Sequence, residues 1–142
     1  MRFNITFLLA LAVGCLNPQL ALAQPDAAEP VYEIRSYHYD PAQLDAYKQW
    51  AIDDAIPFFR AHMDVIGFWI GNDHPPKVSG TKPMDLALGS ANVTWIIRWD
   101  SMEARTAFHK EVFGGEQWRS VWGKHPDPEG YFQSEARFTT AY

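Results

Sequence analysis

Asn92–Arg105, which reads NVTWIIRWDSMEAR, constrains this chain more than any other stretch. Asn92 to Trp99 is dense in β-branched and aromatic side chains, which suit a pleated and half-buried strand. Asp100 stops that strand and is a good helix N-cap, with Glu103 three residues later to complete a capping box. One short stretch therefore specifies a strand, a turn and a helix, and the rest of the chain must supply a partner for each.

At 142 residues the chain is long enough for one domain. Residues 1–23 read as a secretory signal: Arg2 is the basic start, Ile5 to Val13 the apolar core, and Ala21-Leu22-Ala23 a small-x-small cleavage site. The apolar run is too short for a stable membrane span. A competing reading takes Ala12-Val13-Gly14-Cys15 as a lipoprotein signal, with acylation at Cys15. Cleavage after Ala23 removes the one cysteine, so the mature domain has no disulfide. It also removes one base and no acid, moving the formal net charge from −5 to −6. That balance argues against nucleic acid as a partner. The expected location is periplasmic or secreted. Six Trp, six Tyr and nine Phe suggest apolar surface at an interface or pocket as well as in the core.

Residues 24–30 form a polar linker with two prolines, and the domain occupies 31–142. Val31 to Tyr39 is the first strand, with Glu33, Arg35, Tyr37 and Tyr39 on one parity and Tyr32, Ile34, Ser36 and His38 on the other. Asp40-Pro41-Ala42-Gln43 starts a helix whose Leu44, Tyr47, Ala51, Ala55 and Phe58 share a stripe. Pro57 should kink or restart it before it ends near His62. Val65 to Ile70 is a second strand, and Gly71 to Ser90 reads as a long loop. After the third strand, Ser101 to about Phe113 is a helix closed by Gly114-Gly115. Glu116 to Gly123 is a short helix presenting Trp118 and Trp122, and Tyr131 to about Thr140 is the last strand.

The order β-α-β, loop, β-α-β is the split βαβ pattern. It predicts an α+β, ferredoxin-like fold: a four-stranded antiparallel sheet with its helices on one face. Large side chains on both strand parities would leave one face in water, so a sheet-to-sheet homodimer is expected.

The residues resemble the NIPSNAP family. Tyr32-Glu33-Ile34-Arg35-Ser36-Tyr37 is similar to its opening strand. Gly89, Asn92, Trp99-Asp100-Ser101 and Arg105 resemble its second signature, and Glu116-x-Trp118 and Gln133-Ser134-Glu135-x-Arg137 follow in order. The 71–90 loop is longer than the family's usual connection, and Trp99 stands where Tyr is more usual. The resemblance implies a dimeric α+β barrel and no particular reaction. Fold relatives include cofactor-free monooxygenases, isomerases and haem-binding enzymes.

Glu33, Arg35 and Tyr37 are the leading catalytic candidates: an acid or base, an anion holder and a proton donor on one strand face. Glu135 and Arg137 could join them. The reading preferred over that one is an ion-pair network that fixes strand register and dimer geometry. His62 is the best-placed histidine, although its position at a helix end suits a protonated ring beside the helix dipole. Trp69 and Trp95 are ligand-binding candidates, if they are not simply core. The five histidines show no helical zinc spacing, and no glycine motif cradles phosphate, so neither metal nor cofactor is expected. Three functional readings follow. The first is a homodimer binding a small molecule or partner, with an interior that is full or lacks an exposed acid and base. The second is a cofactor-independent monooxygenase or isomerase with an open cavity. The third is a haem enzyme, which needs a histidine facing that cavity.

Overall fold

The computed structural model describes residues 29–72, 74–82 and 87–142; the 1–23 signal and most of the 24–30 linker lie outside the described residues. Four strands are present: β1 (Val31–Tyr39), β2 (Asp64–Ile70), β3 (Val93–Trp99) and β4 (Tyr131–Thr139). They form one antiparallel sheet in the order β2-β3-β1-β4, the ferredoxin-like arrangement expected from the element order. The described residues between β2 and β3 belong to no helix or strand.

A nearly unbroken helical rod connects β1 to β2. Asp40 caps its first turn by accepting the Ala42 N–H at 2.9 Å, with Pro41 in the first helical position. The α-helix α1 (Leu44–Trp50) then widens into a π turn over Ala51–Ala55, and α2 (Ile56–His62) continues. Pro57 is the physical reason for the restart. It has no N–H to offer the preceding turn, and the Ile56 N–H returns five residues to the Ala51 carbonyl.

The second crossover corrects the expected cap. Helix α3 (Met102–Glu111) starts from Ser101, whose hydroxyl accepts the Ala104 N–H at 3.1 Å. Asp100 is occupied elsewhere, by Arg98 at 2.9 Å. The cap therefore lies one residue later, and Glu103 falls too early for the capping box. Helix α4 (Glu116–Trp122) follows.

Register decides which face the helices cover. Glu33 pairs with Ile97, Arg35 with Trp95 and Tyr37 with Val93, so these residues project to one side. That side carries the core. Phe59 of α2 stacks on Trp95 at 4.6 Å, and Phe108 of α3 packs against Trp99 at 5.2 Å. Val93, Ile97, Ala51 and Ala55 are fully buried between the layers. The aromatic parity of β3 is thus the covered one. On the opposite side Trp69 is 50% exposed.

Asn92 ties the end of β1 to the start of β3. Its side chain donates to the Tyr39 carbonyl at 2.7 Å and accepts the Tyr39 N–H at 2.8 Å, where the β1–β4 register shifts. Asn92→Ala leaves both backbone groups without this partner and should cost about 2 kcal/mol in urea unfolding. A loss below about 0.5 kcal/mol would mean that water replaces the amide at no penalty.

Candidate functional site

Glu33 is fully buried, and four donors converge on it. Oε1 accepts from Arg35 Nε at 2.7 Å and from Arg105 at 3.0 Å. Oε2 accepts from Arg105 Nε at 3.0 Å and from the Trp99 indole at 2.9 Å. Arg105 reaches down from α3, with its guanidinium over the Phe138 ring at 5.2 Å. Burial alone would raise the Glu33 pKa. The hydrogen bonds and charges of Arg105 and Arg35 outweigh it and hold the carboxyl at about 2. A carboxylate with every lone pair engaged fixes its neighbours and has no oxygen free for a substrate.

Two guanidiniums share that one carboxylate, which leaves a net positive charge. Arg35 carries it into a pocket of about 410 Å³ between the sheet and the helices. The size falls in the range of small-molecule sites. The sheet supplies Arg35, Tyr37, Trp95, Tyr131 and Ser134; Tyr47 and Trp50 come from α1 and Phe59 from α2. His109 of α3, Phe113, and Trp118 and Trp122 of α4 close the wall. Arg35 lies over the Trp95 ring at 5.4 Å, and its Nη1 is 3.5 Å from the Tyr37 hydroxyl. Outside the lining, His125 donates to the Tyr131 hydroxyl at 2.8 Å while accepting the Asp127 N–H at 3.2 Å. Burial pushes the His125 pKa down to about 4 and the Tyr131 pKa up, so both stay neutral.

His109 stands apart from these satisfied groups. Its ring packs edge-on to Phe113 at 4.7 Å, and Nε2 is enclosed without a hydrogen-bond partner, 3.9 Å from Glu33 Oε2. Burial, then the charges of Arg105 and Arg35, push its pKa down against the pull of Glu33. The ring is neutral at pH 7.

The structure separates the candidates read from sequence. Arg35, Tyr37 and Trp95 line the pocket, and Glu33 lies behind it. Glu135 and Arg137 do not join that cluster: they pair with Ser36 and Ile34, project from the opposite sheet face, and contact each other at 3.4 Å. Trp69 sits on that opposite face too, beside Thr94. His62 is outside the pocket lining. Its Nδ1 bonds the Phe58 carbonyl at 2.8 Å, Nε2 approaches Gln117 at 3.2 Å, and the ring stacks on Phe58, which joins α2 to α4. Arg105 and His109 went unread as site residues. The signal was their i, i+4, i+8 series with Phe113, a face adjacent to the apolar stripe of Ala104, Phe108 and Val112. Among the described residues no cluster of metal-ligating side chains occurs, and no helix is long and apolar enough to cross a membrane. The residues do not fit a haem. Of the described histidines His109 alone lines the pocket, and its Nε2, the nitrogen that most often ligates haem iron, is enclosed beside Glu33.

No protein-family model matches the sequence, and no curated protein does. Solved structures do match. A NIPSNAP family protein of unknown function from Agrobacterium tumefaciens aligns over 80% of this chain and 89% of its own, with 16% identity and a TM-score of 0.61. A second from the same organism covers 84% of this chain and 91% of its own, at 12% identity and a TM-score of 0.62. An uncharacterized NIPSNAP-like domain protein from Burkholderia xenovorans covers 81% and 87%, at 13% identity and a TM-score of 0.62. The fold is that of NIPSNAP-family proteins. At such identities the likeness to NIPSNAP structures fixes the scaffold, and the chemistry must be argued from the pocket.

The clasp gives this NIPSNAP-like scaffold a pH dependence with a definite sign. Because the folded pKa of Glu33 is lowered from 4.5 to about 2, its contribution, about 3 kcal/mol, is present above pH 5 and lost as pH falls toward 2. Glu33→Gln should therefore unfold several degrees earlier than wild type at pH 7, and the gap should narrow steadily between pH 5 and pH 2. A gap that stays constant over that range would show that the carboxylate charge is not the source of the stability.

Proposed function

We propose that this chain is a NIPSNAP-like, secreted or periplasmic homodimer that binds a flat aromatic small molecule carrying an anionic or acidic oxygen. The observation that supports this is the pocket itself: aromatic walls on every side, with one guanidinium, Arg35, projecting from the positive end of the clasp. Flat rings gain from stacking against such walls, and a charge-assisted bond to Arg35 orients them. Export is supported by the basic Arg2, the apolar Ile5–Val13 run and the Ala21-Leu22-Ala23 site, with cleavage near Ala23. A catalytic reading, a cofactor-independent monooxygenase or isomerase, is favoured by one observation, the unpaired neutral imidazole of His109 beside Arg35.

Dimerisation is supported by the sheet face away from the helices, where Trp69 lies across Gly67 and Tyr32, Ile34 and Ile96 are only half-buried. Paired opposite charges flank this strip, Arg98 with Asp64 toward β2 and Arg137 with Glu135 on β4. Such a face is self-complementary, as a two-fold interface requires.

Two measurements test these readings. Tryptophan fluorescence should report tighter binding of 2-naphthoate than of 2-naphthamide. Arg35→Met should erase most of that difference, about tenfold in Kd, while leaving the amide's affinity nearly unchanged. Equal affinities in wild type would remove the cation from the account. For the dimer, Trp69→Glu should shift sedimentation from dimer to monomer without lowering the helical circular dichroism signal; a wild-type monomer would refute the interface.

A further inference from the structure

The inference here rests on the aromatic pocket being a ligand site, and it concerns His109. Among the described residues two side-chain nitrogens are enclosed without a partner, His38 Nδ1 and His109 Nε2. Only His109 belongs to the aromatic pocket. Its Nε2 is turned toward Glu33, so the proton of the neutral ring belongs there, facing a carboxylate 3.9 Å away. Nδ1 is then the nitrogen left for the pocket, and it carries a lone pair. The pocket thus offers two different groups near one end, a cation that donates and a base that accepts.

A carboxylate ligand would use only the first, since it arrives already ionised. A neutral aromatic would use neither. We infer that the pocket takes an aromatic molecule with an acidic hydroxyl, a phenol or enol, and holds it as the anion, with His109 Nδ1 accepting the hydroxyl proton and Arg35 pairing with the oxygen. The O–H bond breaks, its electron pair stays on the ligand oxygen, and an N–H bond forms on the imidazole. No oxidant or other co-reactant is involved.

The surroundings support both charges. The imidazolium lies beside Glu33, which has no proton of its own to give above about pH 2. The charged groups around His109 are Glu33 and Arg35 from β1 and Arg105 from its own helix. Tyr37 and Tyr131 also border the pocket. The two guanidiniums oppose a cationic ring when the pocket is empty, so His109 is neutral until a ligand brings a negative charge. Proton uptake by the ring and anion binding at Arg35 are therefore coupled.

The probe is 4-nitrophenol, whose anion is coloured and whose neutral form is not. It is added to the full signal-free protein at a pH where the free phenol is mostly neutral. Tryptophan quenching reports binding, and visible absorbance reports ionisation. Wild type should bind the phenol and raise its ionised-to-neutral ratio at least about tenfold. His109→Gln should still bind it, with the ratio returned to that of free phenol. In wild type with nitrogen-15 histidine, the His109 ring signals should move to the imidazolium position as the phenol is added, which needs no variant to fold. Binding of neutral phenol by wild type, or full ionisation retained in His109→Gln, would overturn the role of His109 while leaving the pocket reading intact. If neither the phenol nor 2-naphthoate binds, the pocket reading fails and this inference falls with it.

Discussion

One carboxylate organises the helix-covered half of this molecule. Glu33 sits on β1, a central strand, and is reached by Arg35 from its own strand, Trp99 from β3 and Arg105 from α3. A buried carboxylate of this kind is costly by itself, and the cost is offset here because two guanidiniums and an indole all reach it. The arrangement therefore specifies more than it stabilises. It locks the register of β1 against β3, sets α3 down at one position on the sheet, and leaves a surplus guanidinium aimed into the aromatic pocket. Structure and site meet at Arg35, which belongs to both.

The remaining walls follow from packing around that fixed corner. The π turn at Ala51–Ala55 lets the first helical rod pass Pro57 and still present Trp50 and Phe59 on the pocket side. Gly130 contributes through its lack of a side chain, since a Cβ there would stand 2.9 Å from the Tyr39 ring. The Asp40 N–H bonds the Gly130 carbonyl at 2.8 Å, closing β4 over the same end. The fold shared with the NIPSNAP structures thus accounts for the scaffold, and Arg35, Glu33, Arg105 and His109 set the electrostatics of the pocket.

Much of this was legible in the chain. The strand at 92–99, the Asp40-Pro41 helix start and the restart at Pro57 are local signals, and each has a local physical cause. The two-fold alternation of β1 correctly groups Glu33, Arg35 and Tyr37. What local reading does not reach is cross-strand register. The alternation of β4 was plain, but whether Glu135 or Ser134 faces the helices depends on which residue of β1 lies opposite, and that is set by long-range pairing. The same limit hid the partner of Glu33: Arg105 is 72 positions away, and only the docking of α3 brings it near. Asp100 shows the reverse case, a good cap residue diverted by a neighbouring arginine.

The most direct test of the central claim is a carbon-13 NMR titration of the Glu33 side-chain carboxyl in the folded wild-type protein. An inflection at about pH 2, below the ordinary carboxylate range, is the predicted result. An inflection in the ordinary carboxylate range would mean that Arg35 and Arg105 do not clasp Glu33, and the positive end of the pocket would lose its physical basis.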